Sequence, residues 1–413
     1  MILRQIGPDR AREMDMIDSV AFTYPLSDPK PHDNATNVSE QESHLERFAM
    51  EDERTGKLMG GMLLIDYQTR IGNRWLPLSG IGGVSTLPEY RRMGVIRGIF
   101  ERVLPRMYEK GYALSGLYPF SHAFYRKFGY ETMSGIRQYT VGLEQLRAFS
   151  MPDEIRPIDN PRDELSARGV YELFSKQRDA SIRRELSSQW KDILGGDIHK
   201  DCVYKYLLMR RANGKQEPCA YIVFTPEKEK DMNTFTIAVR EAAFIDPDSL
   251  RRLLGFASTF YPHYRHIRVI LPGDIDLGLI CPDPYGVELR VNYDYMLRAI
   301  NAKVLLESMP LSPTLSALSE YKSSSFTLLL HDELIPQNEG LYVIRAKKSG
   351  VTCEKALVGS ADLEMGIGTF TQLVMGSIAL PEALSRPDFR IHSFSPAAQM
   401  LFIRRPQYIV DRY

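Results

Sequence analysis

The stretch Leu78–Phe100, LSGIGGVSTLPEYRRMGVIRGIF, decides how the chain is read. Its first part, Leu78 to Thr86, mixes apolar and small residues and reads as a strand, which the Leu87-Pro88 step interrupts because proline cannot continue a ladder. Val95, Ile96, Ile99, Val103 and Leu104 then recur at helical spacing. Between strand and helix stand Arg91-Arg92-Met93-Gly94. A strand that enters a helix through a glycine turn leaves several backbone N–H groups unpaired and pointing the same way. Such a turn binds anions, and arginines beside it add charge-assisted contacts to phosphate oxygens. The segment therefore reads as a phosphate cradle. It lacks the lysine and hydroxyl residue of the G-x-x-x-x-G-K-[ST] loop of nucleotide hydrolases.

The chain around this cradle has 413 residues, too many for one ordinary core, so two or three domains are expected. Its 52 Lys+Arg balance 52 Asp+Glu, which speaks against a nucleic-acid partner, whose footprint is an excess or cluster of basic residues. Cys202, Cys219, Cys281 and Cys353 are far apart and form no C-x-x-C, as fits buried thiols in a reducing compartment. MILRQIGPDRARE at the N-terminus lacks an apolar signal core, and no run of 18 apolar residues occurs, so the expectation is a cytoplasmic protein with no membrane span.

Met1 to Ile6 reads as a strand and Asp9 to Val20 as a helix that ends before Pro25. Tyr24 to Asn37, rich in Pro, Asp, Asn and Ser, reads as a long loop able to wall a cleft. A charged helix is expected near Gln41 to Met50, then strands over Lys57–Gln68 and Arg74–Thr86 leading into the cradle. Tyr112–Tyr118 reads as the next strand, broken by Pro119. Ala123–Phe128 reads as a short helix capped by Ser121, and Glu131–Val141 as an edge strand. Pro152, Pro157 and Pro161 in a polar stretch mark a boundary. After it, helical patterns at Glu164–Lys176, Ser181–Ile193 and Asp248–Phe260 alternate with strands at Cys219–Thr225, Asn233–Glu241 and Ile267–Leu271. That alternation echoes the first domain, but FIDPDSLRRLLG offers no glycine turn with basic residues where a second cradle would stand. From Tyr293 the texture changes: Met296–Leu305 is apolar and reads as helix, Phe326–His331 and Gly340–Lys347 as strands, and Met365–Met375 as helix.

The spacing Arg91-x-x-Gly94-x-Ile96, after a strand carrying Val84, resembles the pyrophosphate loop of the GNAT acyltransferases, Q/R-x-x-G-x-G/A, with Ile96 where glycine or alanine is usual. VSTLPEYRRMGV over Val84–Val95, together with FYRKFGY over Phe124–Tyr130, resembles more narrowly the Eis-type aminoglycoside acetyltransferases. The apolar run from Met296 and the strands after it resemble the sterol-carrier-like third domain of those enzymes. The implied fold is α/β: a GNAT domain over residues 1–150, a degenerate GNAT-like domain over 151–290, and a sterol-carrier-like α+β domain over 291–413.

The resemblance implies acetyl-CoA as acyl donor, held by Val84, Arg91, Arg92, Gly94, Val95 and Ile96, with its pantetheine arm paired to the backbone at Val84. Moving an acetyl group from a thioester to an amine requires a polarised carbonyl, a neutral amine and a proton for the departing thiolate. For that last proton the resemblance points to the Tyr125 hydroxyl; the competing reading is a packed aromatic whose hydroxyl binds backbone. For the amine it points to the carboxylate of Tyr413 at the end of FIRRPQYIVDRY. With a reference pKa of about 3.5, that carboxylate is a feeble base, suited to orienting the amine and relaying its proton through water. His122 stands off the family's usual pattern, and no His or Glu near the cradle stands out as a base. Asp28 and Gly83 are the candidate substrate-binding positions. Gly83 departs from the family, where an aromatic precedes the valine, and implies a differently shaped amine pocket. No metal is required. The expected acceptor is the amine of an aminoglycoside or similar polyamine; the alternatives are a protein lysine or small metabolic amine, or a lipid-carrier protein with a vestigial acetyltransferase domain. The family assembles as hexamers or smaller rings, so a homo-oligomer is expected.

Overall fold

Strand Arg74–Thr86, a 3-10 turn at Pro88–Tyr90 and a helix over Val95–Glu109 follow one another along the cradle stretch, as its residue pattern requires. A computed structural model describes residues 1–26, 44–230, 233–311, 325–347 and 349–411. Asp28 and Tyr413 lie outside the described residues. The chain divides into one unit made of Met1–Met133, Asp294–Arg405 and the tail from Val410, and a second made of Ser134–Tyr293 and Pro406–Ile409.

In the first unit β1 (Ile2–Ile6), β2 (Leu45–Glu51), β3 (Leu58–Ile71) and β4 (Arg74–Thr86) form an antiparallel run, with Gly72-Asn73 as the two-residue turn between β3 and β4. The cradle helix then crosses over to β5 (Leu114–Leu117), which pairs parallel to β4. A short helix over His122–Arg126 follows, capped by Ser121, and then β6 (Glu131–Thr132). Strands alternate their side chains between two faces. Phe48, Met50, Met59, Met62 and Leu64 meet the cradle helix through Val95, Ile99, Phe100, Val103 and Leu104. Ala49, Leu58 and Leu63 meet Met14 and Ile17 of the helix Ala11–Phe22. The two helices thus cover opposite faces. The segment expected as a charged helix near Gln41–Met50 is β2 instead. Its buried Phe48 and Met50 make the inward face of a strand held between β1 and β3, and residues 41–43 lie outside the described residues.

In the second unit β7 (Ile136–Gly142), β8 (Glu154–Pro157), β9 (Ile182–Arg183), β10 (Tyr204–Ala212), β11 (Lys215–Lys228), β12 (Phe235–Phe244), β13 (Tyr264–Leu271) and β14 (Val287–Asn292) follow in chain order. The sheet runs β14-β7-β13-β12-β11-β10-β8. Ile136–Gly142 therefore lies inside this sheet, between β13 and β14, rather than at the edge of the first. The helical pattern read over Ser181–Ile193 resolves into β9 and a helix over Ser187–Leu194.

β12, the helix Pro247–Ser258 and β13 repeat the crossover of β4, the cradle helix and β5, with β12 and β13 parallel. The helix start is built differently. Asp246 caps it, accepting from the N–H and hydroxyl of Ser249 at 2.8 Å each and from Arg210. A carboxylate therefore stands where a phosphate would have to go. Parallel pairing stops after Ala238, and the segment Pro406–Ile409 lies at the C-terminal ends of these strands. The Tyr408 ring packs edge-on against Phe174, which packs on Phe244 of β12, and Ile270 and Leu271 of β13 line a small crevice with Tyr408 and Ile409. The second unit thus repeats the crossover with an acidic helix cap and with chain lying at its open end.

The last segment returns to the first unit. β15 (Met296–Ala299) inserts between β5 and β6, giving the order β1-β2-β3-β4-β5-β15-β6. The run expected to be helical over Met296–Leu305 is thus a fully buried strand followed by a helix over Ala302–Leu306; a short apolar run carries no periodicity to separate the two. β16 (Ser325–His331), β17 (Gly340–Lys347), β18 (Gly350–Ala356), β19 (Leu363–Gly366) and β20 (Phe389–Ile391) form the third sheet, in the order β18-β17-β16-β19-β20, with the helix Ile367–Val374 beside it.

Arg298 of β15 binds this segment to the first sheet. Its guanidinium is fully buried and donates to Asp332 at 2.6 Å, to the Phe128 carbonyl at 2.7 Å and to the Ala299 carbonyl at 2.7 Å. Asn338 donates to the other Asp332 oxygen at 2.9 Å. Removing one partner strands a buried charge, so Arg298→Ala should cost roughly 3–5 kcal/mol in denaturant unfolding, whereas an apolar pair at both Arg298 and Asp332 should cost far less.

Candidate functional site

Only four residues of β4 pair with β5: Leu78–Ile81 stand against Leu114–Leu117. β5 stops before Pro119, and β15 takes its far side. Beyond Ile81, β4 keeps its partner β3 and has none on the β5 side among the described residues. A β-bulge falls in this freed part, with Gly83 and Val84 together opposite Met62. Gly83 has φ +56°, so the bulge demands glycine. A Cβ there would lie 3.1 Å from Asp18 Oδ2 and 3.1 Å from Leu63 Cγ. The missing side chain thus serves the backbone, and the space beside it is bounded by Asp18 and Leu63.

The cradle forms at the C-terminal end of β4. Arg92 and Gly94 both have positive φ, 64° and 80°, and Gly94 caps the helix without a side-chain bond. Among the described residues the N–H groups of Arg92, Gly94, Val95, Ile96 and Arg97 have no hydrogen-bond acceptor, whereas Gly98 already donates to Gly94. Arg91 and Arg92 are exposed and make no ion pair within the described residues. Four orphan donors per helix start are usual, and here a bend with two positive-φ residues adds to them. The sequence-read residues Val84, Arg91, Arg92, Gly94, Val95 and Ile96 are therefore gathered at one place, the free end of β4 and the helix start it feeds. Lys127 is exposed, and His122 is the first residue of its short helix.

Tyr125 is buried on the cradle-helix face. Phe100, Phe120, Phe124 and Tyr130 surround its ring with centroids 5.2–6.3 Å away. Its hydroxyl has no hydrogen-bond partner among the described residues, so the packed aromatic satisfied by backbone is not what the fold builds. Burial pushes its phenol above the usual value, which keeps it protonated and able to donate. At the end of β5 the Tyr118 hydroxyl donates to the carbonyl of Asp411 at 2.6 Å, bringing the chain's tail to the first sheet two residues before Tyr413.

Asp18 is the residue sequence reading missed. It lies one turn after Met14 and next to Ile17, at the flank of the helix face that packs on the sheet, where a lone carboxylate in an amphipathic pattern reads as a solvated edge. Nothing in the sequence places Gly83 and Ser85 of β4 opposite it.

Family comparison agrees with this geometry. Residues 4–133 match the acetyltransferase (GNAT) domain, and residues 313–400 match the sterol carrier protein domain. An uncharacterised N-acetyltransferase of Streptomyces griseus is 20% identical over 327 residues, covering 75% of this chain and 74% of that one. The N-acetyltransferase Eis of Mycobacterium tuberculosis is 25% identical over 158 residues, 34% of this chain and 39% of Eis. Eis1 of Mycobacterium abscessus superposes with a TM-score of 0.76 at 16% identity, over 100% of this chain and 99% of its own.

The chain is therefore an acetyl-transferring enzyme with a GNAT domain. It is similar to Eis over about a third of its length and to Eis1 in its fold, and its last segment carries the match to a sterol carrier protein domain.

Because left-handed backbone costs a non-glycine residue roughly 1–2 kcal/mol, Gly83→Ala should lower the unfolding free energy by about that amount in urea titration.

Proposed function

We propose that the chain is an acetyl-CoA-dependent N-acetyltransferase that moves the acetyl group directly to an amine of an aminoglycoside or similar polyamine. The observation that carries this reading is the free edge of β4 at Gly82–Thr86, leading into a helix start with five unpaired N–H groups. A pantetheine amide can pair with the edge, and a pyrophosphate can take the N–H groups with Arg91 and Arg92. Acetyl-CoA supplies the activated thioester. Backbone at the Gly83-Val84 bulge orients and polarises the acyl carbonyl, and the phenol of Tyr125 gives its proton to the leaving sulfur.

The Tyr413 carboxylate belongs to the same proposal as the group that orients the amine and passes its proton to water. Its support is the tail's bond at Asp411 to Tyr118. GNAT acetyltransferases use acetyl-CoA, and Eis-type relatives give the acceptor class. Transfer to a protein lysine or small metabolic amine is the competing outcome.

The test is release of free thiol from acetyl-CoA with kanamycin, spermine or a lysine peptide as acceptor. Turnover with kanamycin or spermine is expected; turnover with the lysine peptide alone would replace the acceptor class. Tyr125→Phe should lower kcat about 100-fold with little change in the acetyl-CoA KM, as expected for loss of a proton donor. Arg91→Ala with Arg92→Ala should instead raise that KM by roughly 10–100-fold with kcat nearly kept. The opposite pattern would place the arginines outside the cradle.

A further inference from the structure

Asp18 sits on the helix Ala11–Phe22, on the face of the sheet opposite the cradle helix, and turns its carboxylate to the bulge of β4. Its Oδ2 comes within 3.1 Å of where a Gly83 side chain would begin. Its Oδ1 is buried with no hydrogen-bond partner. The Ser85 hydroxyl faces the carboxylate and favours its charged form, but the pair falls short of hydrogen-bond geometry, and Ser85 Oγ is itself buried and unpaired. Two unpaired polar atoms in one buried spot are unfavourable for the free protein, by about 1–3 kcal/mol each in general. Burial pushes Asp18 up to about 6, with Asp15 on the same helix adding to the rise.

Among the described residues no cation offsets that charge. Asp15 and the Tyr24 hydroxyl, itself raised by burial and then by Asp18, are the titratable groups that face it, and β3 and β4 present Leu63, Gly83 and Ser85. What the spot lacks is a small cationic donor. An ammonium group supplies one, and the bulge at Gly83-Val84 lies beside it.

We propose that Asp18 is the catalytic proton acceptor for the incoming amine, which enters from the face of the sheet that carries Asp18, while Tyr125 serves the thiolate from the cradle-helix face. This rests on the acetyltransfer reading above and gives the first of the amine's two protons to Asp18, leaving Tyr413 to orient the amine and relay the second through water. The ammonium gives one proton to the Asp18 carboxylate. The neutral nitrogen attacks the thioester carbonyl carbon, a C–N bond forms and the C–S bond breaks. The thiolate takes the Tyr125 proton, and the second proton lost by nitrogen restores the phenol through water. Asp18 then releases its proton to solvent, so amide, thiol and one proton leave. A carboxylate poised near 6 is ionised at neutral pH and still basic enough to exchange protons there.

Asp18→Asn keeps the shape and removes the base. The parent enzyme should show an acid limb near pH 6 in thiol release with spermine; expected for Asp18→Asn are loss of that limb, a 100-fold or greater fall in kcat/KM, partial recovery in Asp18→Glu, and unchanged binding of CoA by calorimetry.

Stability provides a readout independent of turnover. A carboxyl raised in the fold contributes stability fully below its unfolded value near 4, and that contribution is lost as pH rises through about 6. Asp18→Asn should therefore melt higher than the parent at pH 7.5, with the difference shrinking towards pH 4. A variant that melts lower at pH 7.5, or that turns over with the parent's acid limb intact, overturns the assignment while leaving acetyl transfer standing. A parent enzyme that releases thiol with none of kanamycin, spermine and the lysine peptide overturns acetyl transfer to these amines and the assignment with it.

Discussion

Parallel pairing between β4 and β5 stops after Ile81, so the backbone groups from Gly82 to Thr86 must be satisfied on one side by something other than the sheet. Three features keep the strands apart. The bulge at Gly83-Val84 bends β4, Pro119 denies β5 any continuation, and β15 holds β5 from its other side. The cradle, the aromatic pocket of Tyr125 and the half-buried carboxylate of Asp18 are all arranged around this opening. Closing it would remove a reason for each.

The second unit shows what the same crossover does without that use. β12 and β13 also part, after Ala238, but Asp246 satisfies the helix start and Tyr408 packs at the strand ends. A carboxylate in place of a glycine turn reverses the sign of the local charge, and an aromatic side chain takes apolar space. Both changes use the chain's own groups where the first unit leaves N–H donors and a strand edge unpaired.

The third sheet's segment contributes to the first unit through a buried cation. Arg298 reaches Phe128, just after Tyr125, and Asp332 from within a strand whose four residues are all buried. Glu131, on neighbouring β6, is held in turn by Arg126 and Arg386. Burial alone would raise its pKa, yet the Arg126 and Thr132 hydrogen bonds and the Arg386 charge bring it below the usual carboxylate range. The short helix carrying Tyr125 is thereby fixed at its C-terminal end, through Arg126 and through Phe128 just beyond it.

Local signals were legible where they depend on neighbours in sequence. Proline at 88 and 119, glycine at 94, serine at 121 and the helical spacing from Val95 gave the strand ends, the cradle and the short helix, because backbone torsion and capping act over a few residues. The strand identities of Leu45–Glu51 and Met296–Ala299 were not legible, since which face an apolar run buries depends on strands far away in the chain. Gly83 read as a missing side chain, whereas its positive φ belongs to a bulge that only the register with β3 creates. The sequence by itself determined the glycine turn with its two arginines at the helix start and the short helix that carries Tyr125. Only the tertiary structure placed a helix-borne carboxylate, Asp18, against that same strand, because burial and the loss of hydrogen-bond partners arise when distant elements pack.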